Sequence, residues 1–407
     1  MKFNFKWPWG AKNSVALLNE AMVRDVYGGG LSKVGLSVNS KTVLRVSACY
    51  ACVRNISEDL AKLNLHLYRR KSRGKERAVD HSLYAVLVAK PNGWQTPFEF
   101  VQLLTAFMLL RGNGYALIVR GYGGRVIELL PLHPDRVEVK QGLDLTLSYV
   151  YTASNGARKT YQQPDILHLR GFTLNGWMGV TPLEYARDSF GLAMAAEEHG
   201  ARMFGGRVTG PGVLKTPNKL SDPAYKRLRE SWEENADGLE NAAKPLILEE
   251  NLSWESLGLK LTDLQFLETR RFQVEEIARL FRMPLHKIGQ LDRATFSNIE
   301  HQSQEYVTDT LLPWARRWEQ SAARDLLSDK DRPLYYMAFM FNSLLRGDMK
   351  ARGEFYGKLF SVAALSPNDI REMEDLDSYE EGDGYFVPAN YLPIAQSGQQ
   401  KGVANGT

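Results

Sequence analysis

The segment from Thr96 to Pro131 constrains the fold more than any other, because its hydrophobic period changes from helical to alternating within a few residues. Thr96-Pro97-Phe98-Glu99 supplies a hydroxyl N-cap, a proline at the first helical position and an acidic first turn, so a helix is predicted from there to about residue 110. Gly112-Asn113-Gly114 turns the chain. Residues 115–120 then alternate as a strand, 121–124 make a hairpin turn, and 126–131 form the partner strand. A helix running straight into an antiparallel hairpin is not a regular βαβ unit. Further strands are predicted over 136–140, 145–151 and 166–169, so the fold class of the first half is α+β.

Upstream, residues 1–40 read as a loose arm broken by Gly28-Gly29-Gly30. A helix over about 43–63 sets Val46, Tyr50, Val53, Ile56, Leu60 and Leu63 on a core face. A strand at 65–68, a basic hairpin turn at 69–77 and a short helix at 81–88 follow. The second half is mostly helical. A long helix is predicted over 182–204, a turn-rich stretch to Pro217, a helix over 222–234 opened by Ser221, and a small hairpin within 244–257. A charged helix over 264–281 ends at Pro284, and residues 289–298 form a polar loop. A helix over 298–328 carries the stripe Val307, Leu311, Trp314, Trp318, Ala322 and Leu326, with a bend at Pro313. A buried strand at 335–341 and helices at 348–364 and 367–375 follow, the last opened by Ser366-Pro367-Asn368-Asp369. After Asp377 the chain is acidic, polar and expected to fray.

Charge and motif content narrow the function. Over 407 residues, 51 basic against 47 acidic side chains leave a net charge of only +4, without the concentrated basic face of a tight nucleic-acid binder. The opening MKFNFKWPWG is basic and aromatic but has no signal-peptide core, and no run of about 18 apolar residues occurs, so a soluble intracellular chain is expected. Cys49 and Cys52 form the one C-x-x-C; without a second ligand pair they read as small residues packed in a helix. The seven histidines are dispersed, with no local metal motif. There is no P-loop and no G-x-S-x-G elbow, and Gly121-Tyr122-Gly123-Gly124 lies between strands rather than at a helix start. No catalytic residue, metal site or cofactor is expected.

The order of segments resembles the portal (head–tail connector) family of tailed phages over about residues 42–393. The resemblance is carried by Arg45-Val46-Ser47-Ala48-Cys49-Tyr50-Ala51-Cys52-Val53, Thr96-Pro97-Phe98-Glu99-Phe100 and Arg111-Gly112-Asn113-Gly114-Tyr115-Ala116. It continues through Asp165-Ile166-Leu167-His168-Leu169-Arg170, Gly179-Val180-Thr181-Pro182-Leu183 and Glu276-Ile277-Ala278-Arg279. Met283-Pro284, Asn298-Ile299-Glu300, Leu344-Leu345-Arg346-Gly347-Asp348 and Pro367-Asn368-Asp369-Ile370-Arg371 complete it.

The resemblance implies a portal architecture: a mixed α/β wing, a helical stem, a small clip with short strands and a helical crown. The implied boundaries are an N-terminal arm at 1–40, a wing at 41–181, stem helices at 182–204 and 261–288, and a clip at 205–260. A tunnel loop at 289–298, a long helix and wing return strand at 299–347, crown helices at 348–376 and a tail at 377–407 complete the assignment. Gln290, Asp292, Arg293, Thr295 and Asn298 are then the candidates for facing DNA, and Glu268, Arg271, Glu275 and Arg279 for meeting the neighbouring subunit. On the residues alone, that charged helix reads slightly better as a solvated surface than as one packed beside copies of itself. The implied partners are the chain itself in a ring of about twelve copies, duplex DNA passing non-specifically, the large terminase, a head–tail adaptor, the major capsid protein and a scaffold protein. The implied location is the capsid vertex of the virion, with the host cytoplasm during assembly and no membrane. An enzyme acting on DNA or peptide bonds, with acids and histidines gathered in space, and a low-order adaptor are the competing readings.

Overall fold

The computed structural model describes residues 30–71, 75–204, 212–215, 221–236, 253–256, 263–290, 302, 304–341, 349–374, 376 and 378–388. They belong to two compact units divided between Phe339 and Met340.

The first unit opens on a hairpin of β1 (Gly30–Leu31) and β2 (Ser37–Val38), inside the stretch expected to be a loose arm. What orders it is tertiary: the Lys33 backbone N–H and ammonium both reach the Asp188 carboxylate, the latter at 3.1 Å. A short helix precedes the one expected over about 43–63. The two are α1 (Ser40–Val43), capped by Asn39, and α2 (Ser47–Ala61). In α2, Cys49, Cys52, Val53, Ile56 and Leu60 are buried, whereas Tyr50, expected in the core, is half exposed. At 100° per residue Tyr50 falls about 100° from the centre of the buried stripe. Burial pushes both thiols up to about 12, so they remain protonated core groups.

After β3 (Leu65–Arg70), β4 (Lys75–Arg77) and α3 (Ser82–Val88) comes α4 (Pro97–Arg111). Its capping box is formed: the Thr96 hydroxyl accepts from the Glu99 N–H, and the Glu99 carboxylate accepts from the Thr96 N–H at 2.8 Å. Gly112 ends the helix at φ 71°, in the left-handed region. Strands β5 (Asn113–Arg120), β6 (Val126–Leu132), β7 (Val137–Gln141), β8 (Leu147–Thr152), β9 (Arg158–Gln162) and β10 (Ile166–Arg170) follow. Strand β9 had no apolar alternation to announce it, because it is an edge strand with mostly exposed side chains. The antiparallel sheets β10-β5-β6 and β7-β8-β9 enclose a core of Tyr115, Leu132, Val137, Tyr149 and Ile166.

The helix expected over 182–204 is broken into α5 (Pro182–Tyr185) and α6 (Arg187–Phe204) at Ala186, whose φ of −102° and ψ of 19° leave the helix. Strand β11 (Gly212–Lys215), helix α7 (Asp222–Ala236) and strand β12 (Ser253–Ser256) come next, and β11 pairs antiparallel with β12. Of the strand pair expected within 244–257, only β12 lies within the described residues, and its partner there is β11, in the stretch read as turns. Periodicity marks a strand but not its partner. Helix α8 (Asp263–Phe281) leads to a 3-10 turn at Leu285–Ile288.

A π-helical turn at Tyr306–Leu311 runs into α9 (Leu312–Leu326). The backbone is helical without a break from 304 to 326, and the distortion expected at Pro313 takes the form of the π turn directly before it, where the proline has no N–H to give to the preceding turn. Val307, Leu311, Trp318, Ala322 and Leu326 are buried, and Trp314 only partly so. The Trp318 indole donates to Thr105 Oγ1 at 3.0 Å and ties α9 to α4. Strand β13 (Tyr335–Phe339) completes the sheet β13-β3-β4, and the Phe339 N–H donates to the buried Glu319 carboxylate at 2.9 Å.

The second unit contains α10 (Met349–Ser361) and α11 (Pro367–Met373). Ser366 and Asp369 form the capping box of α11, and the Tyr356 hydroxyl donates to Glu374 at 2.7 Å. Its tail is held rather than frayed over 379–383: Asn368 donates to the Tyr379 carbonyl and to Asp383, and accepts from the Tyr379 N–H.

Candidate assembly surface and loop anchors

Helix α8 has two unlike faces. Gln273, Ile277, Ala278 and Phe281 are buried, and the helix packs on α2 and α6. Glu268, Arg271, Phe272 and Glu275, at helical spacing on the other face, are exposed. The helix stops because Arg282 turns left-handed at φ 53° and the Met283 N–H returns to the Ala278 carbonyl at 2.8 Å, a Schellman closure followed by Pro284. Gly289, at φ 89°, ends the 3-10 turn and releases the chain at Gln290.

Both flanks of the stretch 291–301 are fastened to α2. The Asn55 amide donates to the Lys287 carbonyl at 2.9 Å, and the Tyr306 hydroxyl donates to Asp59 at 3.0 Å. Burial, with the Asp59 carboxylate beside it, pushes the Tyr306 phenol well above its ordinary range. The Lys287 ammonium stands 5.0 Å from the Tyr306 ring centre, and the Thr310 hydroxyl donates to the Arg282 carbonyl. The two ends of that stretch thus lie side by side on α2. Asn55, Asp59 and Tyr306 were not singled out from sequence; each is unremarkable until the chain brings it to a partner over 230 residues away.

Between α8 and the π turn lies an open groove of about 1130 Å³. Glu268, Arg271, Glu275 and Gln290 line it, so four of the nine candidates meet there. Glu305 and Asp309 stand on the opposite wall. Arg279 is not among the lining residues; it pairs with Glu276 one helical turn away. Asp292, Arg293, Thr295 and Asn298 lie outside the described residues. Among the described residues no group of three or more potential metal ligands gathers, and no helix is long and apolar enough to cross a membrane.

Three of the segments that carried the resemblance converge in a second place. Asn113 donates from its amide to the Arg111 and Gly179 carbonyls, and its Oδ1 accepts from the Gly179 N–H at 2.8 Å and from His168 Nε2 at 3.1 Å. His168 Nδ1 then accepts from the Tyr149 hydroxyl at 3.1 Å, which makes Nε2–H the tautomer present. The Gly171 N–H donates to the Gly112 carbonyl at 2.7 Å. This knot joins the sheet to the start of α5. Burial, with Arg170 and Arg324 nearby, holds the His168 pKa far below its usual value, so the ring is neutral. Below about pH 6.5 the unfolded chain takes up a proton that the folded one refuses, so folding stability falls with falling pH by up to about 1.4 kcal/mol per unit. His168→Gln is expected to flatten that dependence in melts between about pH 4.5 and 7; an unchanged slope would show that other groups carry it.

A family model described as phage portal protein matches residues 47–375. The chain belongs to the phage portal protein family. Among its relatives, the portal protein of Enterobacteria phage HK97 is 31% identical over 371 residues, covering 90% of this chain and 87% of the relative. The probable portal protein of Streptomyces phage phiC31 is 29% identical, covering 90% and 83%. The fold agrees with solved portal-related structures. The neck of an empty gene transfer agent particle gives a TM-score of 0.57 at 22% identity, covering 91% of this chain and 95% of that one. An HK97-family portal protein from Corynebacterium diphtheriae gives 0.56 at 19%, covering 75% and 96%. The portal family and the mixed helix-and-sheet fold expected from sequence are thereby shown. Within the matched residues, the knot of Gly112, Asn113, His168 and Gly179 holds the sheet to the start of α5 by hydrogen bonding and packing.

Proposed function

We propose that this portal protein assembles as a closed ring of about twelve copies at one capsid vertex, through which duplex DNA enters and leaves the head. The observation that carries the reading is the family match across residues 47–375, which spans both the sheets and the helices flanking the groove. In it, residues 41–181 form the wing, α5, α6 and α8 the stem, 205–260 the clip, 289–298 the tunnel loop, 299–347 the long helix and wing return strand, and 348–376 the crown.

The exposed face of α8, with Glu268, Arg271, Glu275 and Arg279, meets the next copy, where opposite charges set the register of a heterologous interface. Gln290, Asp292, Arg293, Thr295 and Asn298 face the DNA. A loop held at both ends on α2 keeps its place while DNA slides past. A net charge of +4 over 407 residues suits a wall that must not grip phosphate. The ring carries no catalysis of its own. A separate terminase ATPase docks on the clip, with a head–tail adaptor replacing it later, and the capsid and a scaffold protein surround the wing.

The test is the mass and symmetry of the purified full chain by native mass spectrometry and negative-stain imaging. Rings of about twelve or thirteen copies with a hole of roughly 20 Å or more, enough for duplex DNA, are expected. A protein that stays monomeric or dimeric under all assembly conditions would overturn the ring.

A further inference from the structure

The groove between α8 and the π turn has a composition that selects its occupant. Its lining holds four carboxylates, Glu268, Glu275, Glu305 and Asp309, against the guanidinium groups of Arg271 and Arg282. Between them lies apolar surface from Phe272, Leu285 and Pro313, with the buried Met283 beneath. Phe272 is half exposed, although it is a large aromatic side chain on a helix whose other face is buried. An acidic rim over an apolar floor suits an extended, cationic and aromatic segment.

The chain contains one. In Met1-Lys2-Phe3-Asn4-Phe5-Lys6-Trp7-Pro8-Trp9 every odd position from 3 to 9 is aromatic, and the even positions hold Lys2, Asn4, Lys6 and Pro8. In an extended backbone this alternation puts four aromatic rings on one edge and both ammonium groups on the other. Pro8 opposes a helical alternative in which the two sets would mix. The 20 residues between Trp9 and Gly30 can span up to about 70 Å, wider than a compact domain of roughly 300 residues. We propose that residues 2–9 dock in this groove, with the aromatic edge on Phe272 and Leu285 and with Lys2 and Lys6 at the Glu305 and Asp309 rim. The docking goes beyond ring formation: it uses the groove floor at Phe272 and Leu285 and the Glu305 and Asp309 rim, and leaves Glu268, Arg271, Glu275 and Arg279 to the next copy.

The experiment is photo-cross-linking in the full chain, with benzoylphenylalanine in place of Trp7 and adducts mapped by peptide mass spectrometry. Adducts on Phe272 or Leu285 are expected, and a band at monomer or at dimer mass supports the docking equally, since the segment is the same. Lys2→Glu with Lys6→Glu, and separately Glu305→Lys with Asp309→Lys, should each lower the groove adduct about tenfold. Combining the four exchanges should restore it. All four positions lie on the arm or on exposed groove surface, and an unchanged thermal melt confirms that each variant is folded. Adducts confined to other surfaces, or groove adducts insensitive to both charge reversals, would overturn the proposal.

Discussion

Gly112→Ala is expected to lower the thermal midpoint by about 6 °C or more. Two costs act together. Gly112 holds φ 71°, where a side chain costs roughly 1–2 kcal/mol. An added Cβ would also overlap the Val180 carbonyl, which is backbone and has nowhere to move: the Val180 N–H is bonded to Phe172 and Gly179 is clasped by Asn113. The sum is on the order of 4 kcal/mol or more. Gly123→Ala separates the two costs. Gly123 has φ 74° but open space around it, so only about 1–2 kcal/mol is expected. Equal losses in the two variants, read by calorimetry, would mean that the close approach at Val180 is not a constraint.

Asp135→Ala should cost about 3–5 kcal/mol, for a different reason. Asp135 accepts from Arg111 at 2.7 Å, and both side chains are almost wholly buried. Burial is the larger influence on each: it lowers the Arg111 pKa and raises that of Asp135 despite their attraction. Such a pair contributes little net stability, yet removing one partner strands the other charge in the interior. The double replacement Arg111→Met with Asp135→Leu is therefore expected to recover most of the loss in denaturant titration. A double variant as unstable as the single one would show that the ion pair itself, and the Arg111 bond to Ser40 at 3.1 Å, are worth more than their desolvation.

The candidate surface was partly legible in the sequence. Glu268, Arg271 and Glu275 stood out as a charged helix face, and the structure puts them on one groove wall with Gln290. The opposite wall, Glu305 and Asp309, was not legible, because acidic residues on a second helix carry no mark of which helix they will face. Tyr50 was misplaced for a related reason. It belongs to a helical period, but the width of the buried stripe is set by what packs on α2, not by the period.

The sequence by itself determined those features whose partners lie within a few residues: the capping boxes at Thr96 and Ser366, the left-handed stop at Gly112, the release at Pro284 and the alternation of β5 and β6. Each is decided by local dihedral preference and a hydrogen bond to a near neighbour. Tertiary structure alone decided that β11 pairs with β12, that Lys33 pins a hairpin to Asp188, that Asn113 gathers His168 and Gly179, and that Asn55 and Asp59 hold both flanks of residues 291–301. In those cases donor and acceptor are separated by tens to hundreds of residues. Any buried polar group must find a partner, but nothing local to it says which one the closing core will bring.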